Sequence, residues 1–128
     1  REQKEIYKKN WEQTEHNFMN TVSALAHRKN VYVQKSMSHL ATRNWKDKTI
    51  DVLFIDADHS YNGVKLDYDS WFDKVKIDGL FIFHDVIDTP QLKGVFQFYK
   101  KELMKDKRIE ELKTETIGTS MKVFRRLN

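Results

Sequence analysis

The 128-residue sequence predicts an α/β fold: three layers, a mostly parallel sheet and a C-terminal antiparallel hairpin. Three observations predict it. Two apolar runs, Val52-Leu53-Phe54-Ile55 and Leu80-Phe81-Ile82-Phe83, lack polar alternation, which is the pattern of strands buried on both faces in parallel sheets. Each run ends abruptly in ionisable side chains, Asp56-Ala57-Asp58-His59 after the first and His84-Asp85 after the second. Segments of helical spacing flank and separate the runs, giving the order helix, strand, helix, strand, helix, strand, helix, hairpin.

Along the chain, Ile6, Tyr7, Trp11, Phe18, Val22 and Leu25 recur at spacings that predict an amphipathic helix over 3–28, stopped near Asn30. Residues 31–34, Val-Tyr-Val-Gln, read as a short strand. Ser36 or Ser38 is placed to cap a brief helix running through Thr42, and 44–49 is a polar loop. The central buried strand is expected over 50–56. A helix over 60–75 then sets Val64, Tyr68, Trp71, Phe72 and Val75 on its inner face. The sequence Lys76-Ile77-Asp78-Gly79 is expected to turn the chain into the second buried strand at 80–84. Asp88 or Thr89 precedes Pro90, which suits the first position of a helix because its missing N–H costs nothing there. Val95, Phe96, Tyr99, Leu103 and Met104 supply that helix's apolar stripe. Residues 108–116, a turn at Gly118 and 120–127 close the chain as an edge hairpin.

Composition bounds the function. Eight Phe, five Tyr and three Trp supply a core, and no apolar run approaches the roughly 18–20 residues of a membrane span. No signal-peptide pattern is visible and there is no Cys, so a cytoplasmic protein without disulfides or a thiolate metal cage is expected. The net charge of +4 is spread over small Lys and Arg clusters that read as solvated faces, so nucleic acid is not the expected partner. The chain opens at Arg1 inside a helical pattern without an initiator Met. A single, N-terminally truncated domain over 1–128 is therefore expected.

Open α/β sheets bind ligands in the crevice beyond the carboxyl ends of their strands. Asp56, Asp58, His59, His84 and Asp85 are expected to converge there. Adjacent strands lie about 5 Å apart, so Asp56, His84 and Asp85 would crowd unless a proton, a cation or hydrogen bonds intervene. His59 is the candidate general base, since an imidazole accepts protons near neutral pH; its alternative is a helix cap or a carboxylate partner. Asp58, an acid just before a helix, is assigned to that helix N-terminus. Tyr61 suits either the core or a substrate wall. Trp45 and His39 read as packing residues, and His16 and His27 as surface residues of the first helix.

Phe54-Ile55-Asp56-Ala57-Asp58-His59-Ser60-Tyr61 with Val64, then Asp78-Gly79 and His84-Asp85-Val86, together resemble the small O-methyltransferase-like families of the class I S-adenosylmethionine-dependent methyltransferase fold. The terminal Gly118–Leu127, G-T-S-M-K-V-F-R-R-L, is similar to the last strand of that Rossmann-like sandwich. The resemblance runs from about residue 14 to the end. It implies S-adenosylmethionine as cofactor, with Ser36, Met37, Ser38 and Asp56 on its binding side, and O-methylation of a small hydroxylated metabolite or sugar. It implies catalytic roles for His59, Asp56 and Asp85. Relatives with acids at these strand ends hold Mg²⁺ or another divalent cation, which here would fall to Asp56, His84 and Asp85. The family's glycine-rich first turn is absent from this chain, whose four glycines do not cluster. Two further readings stay open. One is a non-catalytic module that pairs its open strand edge with a partner chain or a second copy. The other is a nucleic-acid methyltransferase, which has the basic charge behind it but lacks the Asn-Pro-Pro-Tyr tetrapeptide of base-modifying relatives.

Overall fold

The computed structural model describes residues 2–113 and 120–128, with side chains from residue 12 onward. It divides into two compact units, Arg1–Ser36 and Met37–Asn128. The expected turn at Gly118 lies outside the described residues.

In the first unit, helix α1 (Glu2–Leu25) ends in a turn in which the Arg28 N–H donates to the Leu25 carbonyl at 2.8 Å. The Lys35 ammonium pairs with Glu15 and lies 5.4 Å from the Phe18 ring centroid. The strand expected at 31–34 does not form. A strand needs a hydrogen-bonded neighbour, and none of the described strands pairs with these residues; Tyr32 is 91% exposed. β-branched and aromatic composition suits a pleated surface without creating one.

In the second unit, a short helix α2 (Ser38–Ala41) leads through a 3₁₀ turn to strand β1 (Ile50–Ile55). Helix α3 (Tyr61–Trp71), strand β2 (Val75–Phe83), helix α4 (Lys93–Lys101) and strands β3 (Ile109–Leu112) and β4 (Lys122–Arg126) follow. The sheet order is β1-β2-β4-β3, with β1 parallel to β2 and the other two pairings antiparallel. This is the expected α/β class, with the closing hairpin placed so that β4 lies inside and β3 at the edge.

Helices α3 and α4 cover one face. Tyr68, Phe72, Phe81, Phe83, Phe98 and Phe124 pack there as an aromatic cluster, with Phe72 stacked on Phe81 at 5.4 Å and Tyr68 edge-on to Phe81 at 5.3 Å. Such pairs add to the area they bury. The opposite face corrects the reading of β1 as buried on both sides: Val52 and Phe54 are each 52% exposed, while Ile55 is buried on the helix side. Among the described residues of this unit no helix covers that second face, and β1 is an edge strand, paired there with β2 alone.

Three local signals resolve differently from expectation. The 76–79 segment is a bulge inside a longer β2, because Ile50 faces Val75 while Val52 faces Leu80, and Asp78 takes the extra length at φ 64°. Pro90 sits in a turn ahead of α4, where the Thr89 hydroxyl and carbonyl both accept from the Leu92 N–H, so the helix starts at Lys93. Met37 stands at the N-cap of α2 without a side-chain cap, and the Ser38 hydroxyl instead accepts from the Trp71 indole N–H at 2.9 Å. By contrast, Ser60 caps α3 by accepting from the Gly63 N–H at 3.0 Å.

Tyr68 is buried, and its hydroxyl donates to Asp106 at 2.8 Å. The Arg108 guanidinium also donates to that carboxylate, and chiefly because of it the Asp106 carboxyl is lowered from 3.8 to about 2. A depressed carboxyl contributes stability that is complete above its unfolded value and disappears as pH falls through the folded one. Asp106→Asn should therefore lower the urea midpoint at about pH 6, and the gap from wild type should close towards about pH 2. A gap unchanged by acid would contradict the assignment.

Candidate active site

β1 and β2 are in register to their ends, Ile55 opposite Phe83, so their carboxyl tips emerge side by side. The His84 N–H donates to the Ile55 carbonyl at 3.1 Å, carrying the pairing one residue past the strand. Asp56 leaves the first tip, and His84 and Asp85 leave the second. His59 returns to them from the turn before α3.

Four of the five expected residues meet. His59 Nε2 lies 3.1 Å from Asp85 Oδ2 and 3.8 Å from Asp56 Oδ1. His84 Nδ1 lies 3.0 Å from Asp85 Oδ1 and 3.6 Å from Asp56 Oδ1. Both of these ring nitrogens are shielded from water, and neither makes an aligned hydrogen bond among the described residues. The separations to Asp85 are those of hydrogen bonds while the directions are not. Two carboxylates and two imidazoles thus face a common point with unused bonding capacity.

Backbone strain sets Asp85. Its φ of 57° lies in the left-handed region, which Asp tolerates better than most side chains but rarely adopts. The Ile87 N–H donates to the Asp85 carbonyl at 2.9 Å and the Val86 N–H to the Ser120 carbonyl at 2.8 Å, holding that conformation in place. Strain maintained by the surrounding structure is concentrated at functional sites.

Asp58 is not in the cluster. Its carboxylate accepts from the Ser60 N–H at 2.8 Å, and this bond holds its carboxyl below the ordinary 3.8. It fills the space over Gly63, where a Cβ would come within 2.3 Å of the Asp58 carboxyl carbon. Tyr61 turns toward α4: its hydroxyl donates to Glu102, its ring meets Phe98 edge-on at 5.8 Å, and the Lys101 ammonium lies 5.8 Å from its centroid. Trp45 packs edge-on against Trp71 at 5.7 Å.

Gly94 of α4 fixes the position of the His59 turn. A Cβ there would lie 2.3 Å from the His59 carbonyl oxygen and 2.5 Å from the Tyr61 nitrogen, both backbone atoms. Gly94→Ala must push the helix and the turn apart. We expect a loss of about 1–3 kcal/mol, as for other overpacked sites, together with a shifted His59 imidazole NMR signal. An unchanged melting temperature and spectrum would contradict the contact.

Beside Asp56 opens a cleft of about 470 Å³, walled by residues 53–57, Ser38 of α2, and Asp67 and Trp71 of α3. Its size falls in the range of small-molecule sites, about 300–1,000 Å³. Of the residues expected on the cofactor side, Ser38 and Asp56 line it; Met37 is exposed at the start of α2, and Ser36 belongs to the first unit. Asp67 was missed in the sequence, although a signal was there. It is an acid at the helical spacing of Val64, Tyr68 and Trp71, on the face otherwise assigned to the core.

No helix among the described residues is long and apolar enough to cross a membrane. A family model described as "Methyltransferase domain" matches residues 2–86, a span that contains the whole cluster. An uncharacterized protein of Sinorhizobium fredii is 32% identical over 54 residues, covering 42% of this chain and 6% of the relative. The crystal structure of a Corynebacterium glutamicum protein superposes with a TM-score of 0.63 at 8% identity, over 84% of this chain and 53% of that one. The chain thus spans only part of the length of both of these proteins. With the family model covering well over half of its length and the shared fold beneath it, the chain belongs to the methyltransferase-domain family, the class I S-adenosylmethionine-dependent methyltransferases.

Proposed function

We propose that this chain carries the acceptor side of an S-adenosylmethionine-dependent O-methyltransferase acting on a small hydroxylated metabolite or sugar, with His59 as general base. The observation that carries this reading is the His59–Asp85 contact at the strand tips, at 3.1 Å. With Nε2 turned to the carboxylate, Nδ1 is the nitrogen left to take the acceptor's proton. Asp85 then orients the ring and stabilises the imidazolium that forms, and Asp56 adds a second negative charge on the same side. The methyl donor supplies an electrophilic carbon on a positively charged sulfur. With the donor bound, transfer of its methyl group to the acceptor oxygen would leave a neutral thioether, and His59 would take the acceptor's proton. Holding the reactants in line does most of the work in such a displacement. The cleft beside Asp56 suits the donor in size and in its mixture of apolar walls and carboxylates.

A second reading has its own support. Asp56, His59 and Asp85 each offer a ligand atom, all within 4.8 Å of one another, and His84 of the expected ligand set faces the same two carboxylates. A divalent ion there would relieve the crowding of like charges. Imidazole donors suit Fe²⁺ or Zn²⁺ better than Mg²⁺, which prefers oxygen. Exhaustive chelation separates the readings: turnover unaffected by chelator favours the base alone, and loss restored by added ion favours the metal.

Calorimetric titration of S-adenosylhomocysteine into the intact protein tests the methyltransferase reading. Saturable binding, micromolar or tighter, is expected. No heat of binding would favour the non-catalytic module that pairs its open edge with another chain.

A further inference from the structure

A second cavity, of about 350 Å³, opens between α3 and the chain that leaves α4, and it shares no residue with the cleft beside β1 or with the strand-tip cluster. Four basic side chains line it, Lys65, Lys101, Lys105 and Arg108, together with three acids. Each acid is answered. Asp69 pairs with Lys65 at 2.9 Å, Asp106 accepts from Arg108 at 2.7 Å and from the Tyr68 hydroxyl at 2.8 Å, and Glu102 accepts from the Tyr61 hydroxyl. Two of the cations are not: among the described residues no ion pair reaches Lys101 or Lys105. Arg108 spends Nε and Nη2 on Asp106, which leaves Nη1 without a bond among the described residues. Aromatic faces hold two of these cations in place. The Arg108 guanidinium carbon lies 3.9 Å from the Phe72 ring centroid, and the Lys101 ammonium lies 5.8 Å from that of Tyr61. Unspent, positioned cationic donors around a concave space describe a receptor for an anion.

We propose that this cavity binds the phosphate group of a small phosphorylated molecule, with Lys101, Lys105 and Arg108 as its donors. A phosphate monoester carries a charge of about −1.5 to −2 at pH 7 and offers three strong acceptor oxygens. The cavity is of small-molecule size, within the range of about 300–1,000 Å³. A nucleic-acid strand fits less well, because its successive phosphates would meet Asp69, Glu102 and Asp106 in the same wall, and such like-charge contacts are costly. The site stands whether or not the strand tips transfer a methyl group.

The test is a backbone-amide NMR titration of the intact protein at constant ionic strength. Inorganic phosphate should shift the signals of residues 101–108 saturably, with a midpoint at or below about 1 mM. Glucose 6-phosphate should produce the same shifts at equal or lower concentration, and glucose none. The double variant Lys101→Gln/Lys105→Gln should raise the midpoint by about tenfold or more, as loss of charged hydrogen bonds does. Lys100→Gln/Lys107→Gln removes the same charge from lysines outside the cavity and should leave the midpoint within about twofold. All four lysines are exposed, so neither variant takes packing from the core. Equal weakening in the two double variants would reduce the effect to diffuse attraction and overturn the site, as would shifts that never saturate or that arise elsewhere in the chain. Shifts with inorganic phosphate but not with glucose 6-phosphate would assign the cavity to the free ion and overturn a phosphorylated occupant. A short oligothymidylate that moves the same signals at lower phosphate concentration than glucose 6-phosphate would overturn the small molecule in favour of a nucleic-acid strand.

Discussion

His59→Ala should lower methyl-transfer turnover by about 10²–10⁴-fold, the usual contribution of a positioned general base, and leave S-adenosylhomocysteine affinity within a factor of a few. His59 reaches the tips from the turn before α3, and it is not among the residues that line the cleft. Removing the ring takes away the proton acceptor and Asp85's partner at 3.1 Å, while the cleft walls stay in place. His59→Gln, which fills similar space without accepting a proton at neutral pH, should be about as slow. Single-turnover rates with a labelled methyl donor are the measurement. A variant that retains full turnover would remove His59 from the chemistry, whereas one that loses donor binding would make it part of the binding wall.

Arg126→Leu should destabilise the fold by about 2–5 kcal/mol, because it leaves buried acceptors without donors. The Arg126 side chain is buried where β4 meets the end of α3, 5% exposed. Its Nη1 donates to the Phe72 carbonyl at 2.9 Å and to the Val75 carbonyl at 2.6 Å, and its Nε donates to the Asn128 carbonyl at 3.0 Å. The Phe72 carbonyl belongs to the 3₁₀ turn after α3, the Val75 carbonyl to the first residue of β2, and the Asn128 carbonyl to the segment after β4. The guanidinium carbon also lies 4.5 Å from the Phe72 centroid, and Asp73 comes within 3.5 Å of Nη2. Leucine replaces the stem's packing and none of these bonds. Equilibrium urea unfolding measures the loss. A change of less than about 0.5 kcal/mol, typical of exposed surface sites, would mean that water reaches these carbonyls.

How much of this the sequence carries depends on where the information lies. The strands at β1 and β2 and the helix between them were legible because apolar runs and helical periodicity are local signals. The convergence of Asp56, His59, His84 and Asp85 followed from a topological rule, since parallel neighbours place their carboxyl ends together. Residues 31–34 show the limit. Their composition favours a strand, but pairing depends on a neighbour that local sequence does not specify. The exposed face of β1 has the same origin: Val52 and Phe54 read as buried because apolarity says what a side chain tolerates, not what covers it. Arg126 and Asp67 escaped for a third reason. A charged residue among apolar ones is read as surface or as an interruption, and only long-range contacts reveal the carbonyls that Arg126 answers or the cleft that Asp67 lines. Asp85's left-handed backbone is likewise a product of the turn that follows β2.

A crystal structure of the intact protein with S-adenosylhomocysteine should show the ligand's sulfur facing the tips of β1 and β2, with His59 and Asp85 bordering the open space in front of it. A ligand seated elsewhere, with the His59–Asp85 pair facing bulk solvent and no room for an acceptor between them, would contradict it.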